Sequence, residues 1–368
     1  MEVALATPSL DMLALLAPVA SGGLPAVARA AAFPTDDERE AFARLLAFAS
    51  PAGWPAPTRV CFGHETCEHL VPPPDDWLRA LDVAARHGLA LTAVLPPTRA
   101  SGEDPIASLL DLLARSGAVT EVTCADWGTA ALVSRAGLRP VLGRIMNRMK
   151  RFERWTAAAP VPASVDDPSV LGRQLRVARQ SPLLQPPALA LAASLGACRV
   201  DLDPVPQGVR VPPGPLPVGV GVHVPWTLVT LGRRCLVRAA AAGAAAAGAS
   251  AAGAAAAGAA AAGAGSAAGS AAGSGAGSAA SPAADSDAGS AAGPAAGPGA
   301  RSGSRPVAGG GFCPAPCRSL WIRPVFDDRM PATVQRGNAV FQANPRFLPG
   351  VVDTLPPDVR FVVRPLLG

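Results

Sequence analysis

Cys313 and Cys317 stand four positions apart in GFCPAPCRS (Gly311–Ser319), a stretch whose local backbone is fixed by Pro314 and Pro316. Cys235 ends the segment TLVTLGRRC on the far side of a run of alanine, glycine and serine over 239–310. Loop-closure entropy grows only with the logarithm of loop length, so a long spacer can join two points that lie side by side. Arg233, Arg234 and Arg318 flank these thiols, and nearby positive charge favours thiolate, the form that binds metal. Four thiolates suit an iron–sulfur cluster or a structural zinc ion. The fourth must come from Cys61, Cys67, Cys124 or Cys198. Cys61, Cys124 and Cys198 sit inside strand-like aliphatic stretches and read as small buried hydrophobes. Cys67 lies instead in the polar loop GHETCEHLVPPP after a strand, where the sites of α/β barrels gather. The expected ligand set is therefore Cys67, Cys235, Cys313 and Cys317.

The same loop offers a rival. Cys61, His64, Cys67 and His69 could form a local zinc site, although Cys61 should face the barrel and the spacing closes a tetrahedron poorly. The His-Glu-x-x-His pattern of zinc proteases is missed, because His69 falls one place too late to share a helix face with His64. His87 reads as a histidine at a helix C-terminus, favoured by the macrodipole. His223 interrupts the apolar strand GVGVHVPW and is either a satisfied core histidine or part of a pocket. Asp126, Asn147, Asp201 and Asp203 stand at strand ends, where polar residues either cap helices or line a barrel mouth. With Arg144 and Arg148 they could hold a small anion. His223, Asp126, Asn147 and Arg144 are the pocket candidates.

The elements that would position these groups alternate. Strand-like runs occur near the start (EVALAT) and at Thr58–Gly63, Leu89–Pro97, Thr120–Gly128, Arg139–Asn147, Cys198–Asp203, Pro217–Pro225 and Thr227–Gly232. Helical patterns such as DDEREAFARLLAFA, DDWLRALDVAARHG and DPIASLLDLLARSG lie between them, with acidic first turns. This alternation predicts an α/β fold, a TIM-type (βα) barrel, complete or incomplete. The boundaries read as a barrel-like domain over 1–238, a low-complexity insertion over 239–310, and a segment over 311–368 that completes the same domain and the metal site. The insertion carries no large side chain to bury and is expected to be disordered. After it, the RGN turn and AVFQAN suggest a further strand.

Composition narrows the function classes. In 368 residues the net charge is +5, Lys150 is the sole lysine and tyrosine is absent, so nucleic-acid binding is unsupported. The apolar start MEVALATPSLDMLALLAPVA carries Glu2 and Asp11 in place of the positive residues that open a secretory signal. The alanine run is too small-sided for a convincing membrane span. A soluble, cytoplasmic protein is the expectation, and there thiols stay reduced and seven cysteines point to metal or redox chemistry.

GHETC (Gly63–Cys67), PPDDWLRALDVAARHGLALT, GRRC ending at Cys235 and Cys313-x-x-x-Cys317 together resemble the collagenase-like peptidase family U-32. The similarity is greatest to its UbiV-like branch. VTCADWGTAALVSRAG and ATVQRGNAVFQAN also look like that family's mid-barrel unit and C-terminal strand. The resemblance implies a [4Fe–4S] cluster on Cys67, Cys235, Cys313 and Cys317. It also implies a UbiU-like protein partner in a heterodimer, and a role in oxygen-independent hydroxylation of a small organic or aromatic substrate, as in ubiquinone biosynthesis. The family's Glu-x-Phe-x-His-Gly strand survives only as GVGVHVP, which keeps His223 and lacks the glutamate. That departure argues against peptidase chemistry, the alternative the family name suggests; a non-catalytic structural zinc protein is the other.

Overall fold

The computed structural model describes residues 1–33, 35–98, 103–149, 170–205, 207–232, 235, 333–336, 338–343 and 355–365. The insertion over 239–310, with Cys313 and Cys317, lies outside the described residues. Eight parallel strands close into a barrel: β1 (Glu2–Thr7), β2 (Arg59–Gly63), β3 (Ala90–Val94), β4 (Val119–Cys124), β5 (Arg139–Leu142), β6 (Arg199–Leu202), β7 (Gly219–Val224) and β11 (Arg360–Val363). The expected α/β barrel is thus present, and it is closed. The closing strand is β11, unread in the sequence, which pairs with β7 (Val362 beside His223) and with β1 (Val363 beside Leu5).

The run Thr227–Gly232, expected as another barrel strand, departs from the barrel. Residues Trp226–Leu231 form β8 of a separate antiparallel sheet with β9 (Thr333–Arg336) and β10 (Ala339–Ala343), in the order β8, β10, β9. Because β8 pairs with β10, segments from either side of the insertion lie side by side. Ala41, Trp226, Val334, Ala339, Phe341 and Ala343 form this sheet's own small apolar core.

Strand periodicity explains the barrel's two surfaces. Val3, Leu5, Val60, Phe62, Phe361 and Val363 face outward into the main core against the helices. Ala4, Ala6, Cys61, Val94 and Val362 alternate with them and form a second, interior cluster. The helices show local start signals. Thr35 caps α3 (Asp36–Ala49) by accepting from the Glu38 N–H and donating to the Glu38 carboxylate. Helix α4 (Pro74–Arg86) opens on Pro74 with Asp75 and Asp76 in its first turn, and His87 is its C-cap. Helices α1 (Leu10–Leu16) and α2 (Gly23–Ala30) occupy the apolar N-terminal stretch. Leu10–Ala30 is long and apolar enough to cross a membrane by composition, yet Met12, Leu13, Leu16, Leu24 and Val27 are buried in the barrel's main core. Helices α5 (Glu103–Ser116), α6 (Trp127–Arg135), α7 (Val170–Ala178) and α8 (Pro186–Ser194) complete the described outer layer.

The N-terminal end of the barrel is plugged by charge. Glu2 accepts from Arg59 (2.8 Å) and Arg360 (2.7 Å), and Glu121 accepts from Arg360 (2.7 Å) and Arg139 (3.2 Å). Burial alone would raise the Glu121 carboxyl, but the Arg360 hydrogen bond and charge, with Arg59 and Arg199, outweigh it and hold it below its ordinary value. A carboxyl that titrates lower folded than unfolded stabilises above its unfolded value, about 4.3, and loses that contribution as pH falls through its folded value. Melting followed by circular dichroism is therefore expected to show the wild type losing stability below about pH 4 more steeply than Glu121→Gln, which melts lower at neutral pH. Parallel melting curves for the two proteins across that range would contradict this role.

Candidate functional site

Loops after four barrel strands bring a second charged cluster together at the C-terminal mouth, the end at which barrels of this class carry their sites. Arg144, in the turn after β5, is its centre. Its guanidinium makes two hydrogen bonds to Glu65 after β2 (2.5 and 3.0 Å), one to Asp203 after β6 (3.1 Å) and one to the Trp226 carbonyl of β8 (2.7 Å). Arg364, directly after β11, donates to the same Glu65 carboxylate at 2.8 Å. The Phe341 ring of β10 lies under both guanidinium groups, 5.4 Å from Arg144 and 5.9 Å from Arg364. The side chains of Arg144, Glu65, Asp203 and Arg364 are all buried.

Burial would push the Glu65 carboxyl up, but the Arg144 and Arg364 charges, the Arg144 hydrogen bonds and His223 hold it well below the usual carboxylate range. Burial likewise acts against the Arg144 charge, and Glu65 and Asp203 more than restore it. Of the two arginines expected to hold a small anion, Arg144 is paired with two carboxylates and Arg148 is exposed on the surface.

One layer deeper, His223 of β7 faces Asp201 of β6, with Nε2 3.2 Å from Oδ2. Both side chains are buried, and His223 Nδ1 has no partner among the described residues. Gly221 makes room for the pair, since a Cβ there would lie 2.1 Å from Asp201 Oδ1. Asn147 is buried after β5, its Oδ1 accepting from Ser181 (2.8 Å) and its Nδ2 unpartnered. Asp126 caps α6 by accepting from Thr129 N–H (2.7 Å), and it also accepts from Thr98 N–H (2.9 Å) and the Thr129 hydroxyl (2.9 Å). Of the four pocket candidates, then, Arg144, His223 and Asn147 are buried at or below the mouth, while Asp126 is spent on a helix end.

The cysteines separate into two groups. Burial pushes the Cys61 thiol up to about 12 and the Cys198 thiol up to about 11, and raises Cys124 further still, so none of the three is a ready thiolate. Cys67 and Cys235, half-buried like Cys198, lie in loops outside the barrel strands. A single amide ties their segments together: Asn338 Nδ2 donates to the Thr66 carbonyl (2.9 Å) and to the Gly232 carbonyl (3.3 Å), while Gly232 N–H donates to the Asn338 carbonyl (2.7 Å). Cys67 follows Thr66 directly, and Cys235 lies three positions after Gly232. Gly63, at φ +118, lets β2 turn into this loop where a Cβ would strike the Val94 carbonyl at 2.3 Å. Among the described residues no group of three or more His, Cys, Asp or Glu side chains is placed to hold a metal ion. Cys61 faces the barrel interior, and His64 Nδ1 accepts from Thr66 N–H at 3.3 Å.

Glu65 and Arg364 carry much of this site and were not singled out in the sequence. Glu65 had a usable signal, its place in the polar loop after β2; Arg364 had none until β11 was known to be a barrel strand. Removing one partner from a buried ionic cluster leaves the others uncompensated. Urea unfolding is expected to show Glu65→Gln less stable than wild type by about 3–5 kcal/mol, and a loss under about 1 kcal/mol would place the cluster among surface-like ion pairs. No family model matches the chain, and no curated protein or solved structure is significantly similar to it.

Proposed function

We propose that this chain is an iron–sulfur protein resembling the peptidase U-32 family, with Cys67, Cys235, Cys313 and Cys317 holding a [4Fe–4S] cluster beside the barrel mouth. The observation that supports the reading most directly is the Asn338 amide, which holds the Cys67 loop against the segment leading to Cys235. The two described members of the set, Cys67 and Cys235, lie in loops outside the barrel strands. When bound, such a cluster supplies one-electron transfer, with a potential tuned by burial and by hydrogen bonds to sulfur.

In this reading the chain is a component of an oxygen-independent hydroxylation system, akin to that of ubiquinone biosynthesis, and works with a UbiU-like protein partner. The chain's own contribution is a closed barrel whose mouth presents fixed charges and a buried imidazole to a small organic or aromatic substrate. Peptidase action lacks the glutamate in the strand that carries His223, whose imidazole is hydrogen-bonded to Asp201.

Anaerobic purification followed by iron and sulfide analysis and an absorption spectrum tests the cluster. Cys67→Ser is expected to lose the iron and the visible absorbance, whereas Cys61→Ser retains both; equal iron in the two variants, or tightly held zinc in the wild type, would overturn the assignment. Asn338→Ala is expected to bind iron but release it to a chelator faster than wild type, by about tenfold, the scale of a lost supporting contact around a metal site. Release at the wild-type rate would show that the amide does not hold the two segments for the cluster.

A further inference from the structure

The antiparallel sheet is tied to the barrel mouth on several sides. Its first strand reaches the segments after β5 and β6: the Trp226 carbonyl accepts from Arg144 (2.7 Å), and the Thr227 hydroxyl donates to the Pro204 carbonyl (3.2 Å). Between β9 and β10, Asn338 Nδ2 donates to the Thr66 carbonyl after β2 (2.9 Å). The Phe341 ring of β10 packs on Arg144 and on Arg364, which follows β11. In the closed order β1, β11, β7, β6, β5, β4, β3, β2, strands β2 and β6 stand four places apart in a ring of eight, on opposite sides of the barrel. A sheet tied to the ends of both therefore bridges the mouth. Arg144 lies beyond the strand ends, yet its side chain is fully buried.

The apolar packing divides the molecule at the same place. Trp226, Val334, Ala339, Phe341 and Ala343 of the sheet cluster with one another and with Ala41 of α3, and none of them belongs to the main core between barrel and helices. The named ties to the mouth are instead hydrogen bonds and a ring face on two cations. Nor do the charges beneath depend on the sheet for balance. Arg144 and Arg364 match Glu65 and Asp203 in number and are hydrogen-bonded to them, so departure of the sheet strands no unpaired ion. Water can take the place of the Trp226 carbonyl on Arg144. A unit with its own core and polar docking contacts opens at lower free energy than the scaffold that carries it. We propose that β8, β9 and β10 form a lid that leaves the C-terminal mouth as one unit while the eight-stranded barrel stays closed.

The lid gates the end of the barrel at which folds of this class carry their sites. Arg144 and Arg364 are reached from solvent through its opening, whereas Arg360, in the plug at the other end, is reached only when the barrel itself unfolds. These two buried arginine environments give the proposal an internal control: both are paired with carboxylates, and they differ in whether the sheet covers them. None of the contacts that define the lid involves a cysteine, so it stands or fails independently of the cluster.

Two readouts on the full chain test it, in urea too dilute to unfold the barrel. Hydrogen exchange followed by mass spectrometry is expected to show the amides of β8 and β10 exchanging faster than those of β1, β4 and β6, with a weaker dependence on urea. Phenylglyoxal, which modifies arginine, should label Arg144 at a rate that follows exchange in the sheet and leave Arg360 nearly untouched. Phe341→Leu keeps an apolar side chain in the sheet's core but removes the ring face. It should speed both sheet exchange and Arg144 labelling by about tenfold, the scale of a desolvated cation–π contact, with the barrel amides and Arg360 unchanged. Equal exchange in sheet and barrel, or equal labelling of Arg144 and Arg360, would show one cooperative unit with no lid. Sheet amides without any protection in the wild type would overturn it as well, since a lid must also close. Should Phe341→Leu fail to fold by circular dichroism, Asn338→Ala, which cuts the tie to Thr66, is expected to speed the same two rates and no others.

Discussion

Arg144 is the constraint on which the mouth of the barrel depends. It is a fully buried cation reached by the loops after β2 and β6, by the first residue of β8 and by the face of Phe341. Taking such a charge out of water costs several kcal/mol, repaid only if its partners are complete. Glu65 cannot leave Arg144 without stranding Arg364 as well, because it serves both. The separate antiparallel sheet is held by the same account, since the Trp226 carbonyl and the Phe341 ring belong to it. The position of that sheet then sets Asn338, and Asn338 sets the loop bearing Cys67 against the segment bearing Cys235. The cluster thus does more for placement than for net stability, which apolar packing of the same volume could supply as well.

The two ends of the barrel use charge differently. At the N-terminal end Glu2, Arg59, Glu121, Arg139 and Arg360 come from strand starts, and together they close the interior. Their polar atoms are largely consumed by one another, the pattern of a structural plug. At the C-terminal end Glu65, Arg144, Asp203 and Arg364 sit after the strands, and among the described residues His223 Nδ1 in β7, Arg364 Nε and Asn147 Nδ2 are buried without a partner, as is Arg199 Nε at the opposite end. A native protein leaves few such atoms without an explanation. Ordered water can satisfy some of them.

The fold was legible where local chemistry and periodicity agree. β-branched runs between amphipathic helices gave the barrel, and the acidic first turns at Asp36 and Asp37 and at Asp75 and Asp76 marked helix starts that the structure contains. It was illegible where a strand is short and its role is set by distant partners. β11 has four residues, RFVV, preceded by a Pro-rich turn, and only its pairing with β1 and β7 makes it the strand that closes the barrel. β8 failed for the opposite reason. Its pattern is that of any half-buried strand, and nothing local says that it pairs with β10 across the insertion and not with a barrel neighbour. Asp126 shows the same limit at the site: its strand-end place suits a pocket or a cap equally, and only the geometry of Thr129 and Thr98 assigns it.

The candidate site follows from these placements in a definite order. Gly221 admits Asp201, which otherwise has no room; Asp201 then fixes the imidazole of His223 through one nitrogen and leaves the other bare. Arg364 is available beside it because Glu65 holds the guanidinium by its terminal nitrogen and leaves Nε unused. Neither half of this arrangement is visible in a motif, because β6, β7 and β11 are separated in the chain and adjacent only in the closed barrel. The thiol-bearing loops obey the same logic from the other side of the mouth, being joined by an amide that lies beyond the insertion. A chain that uses buried charge to fix three loops has given up packing energy for the placement of those loops.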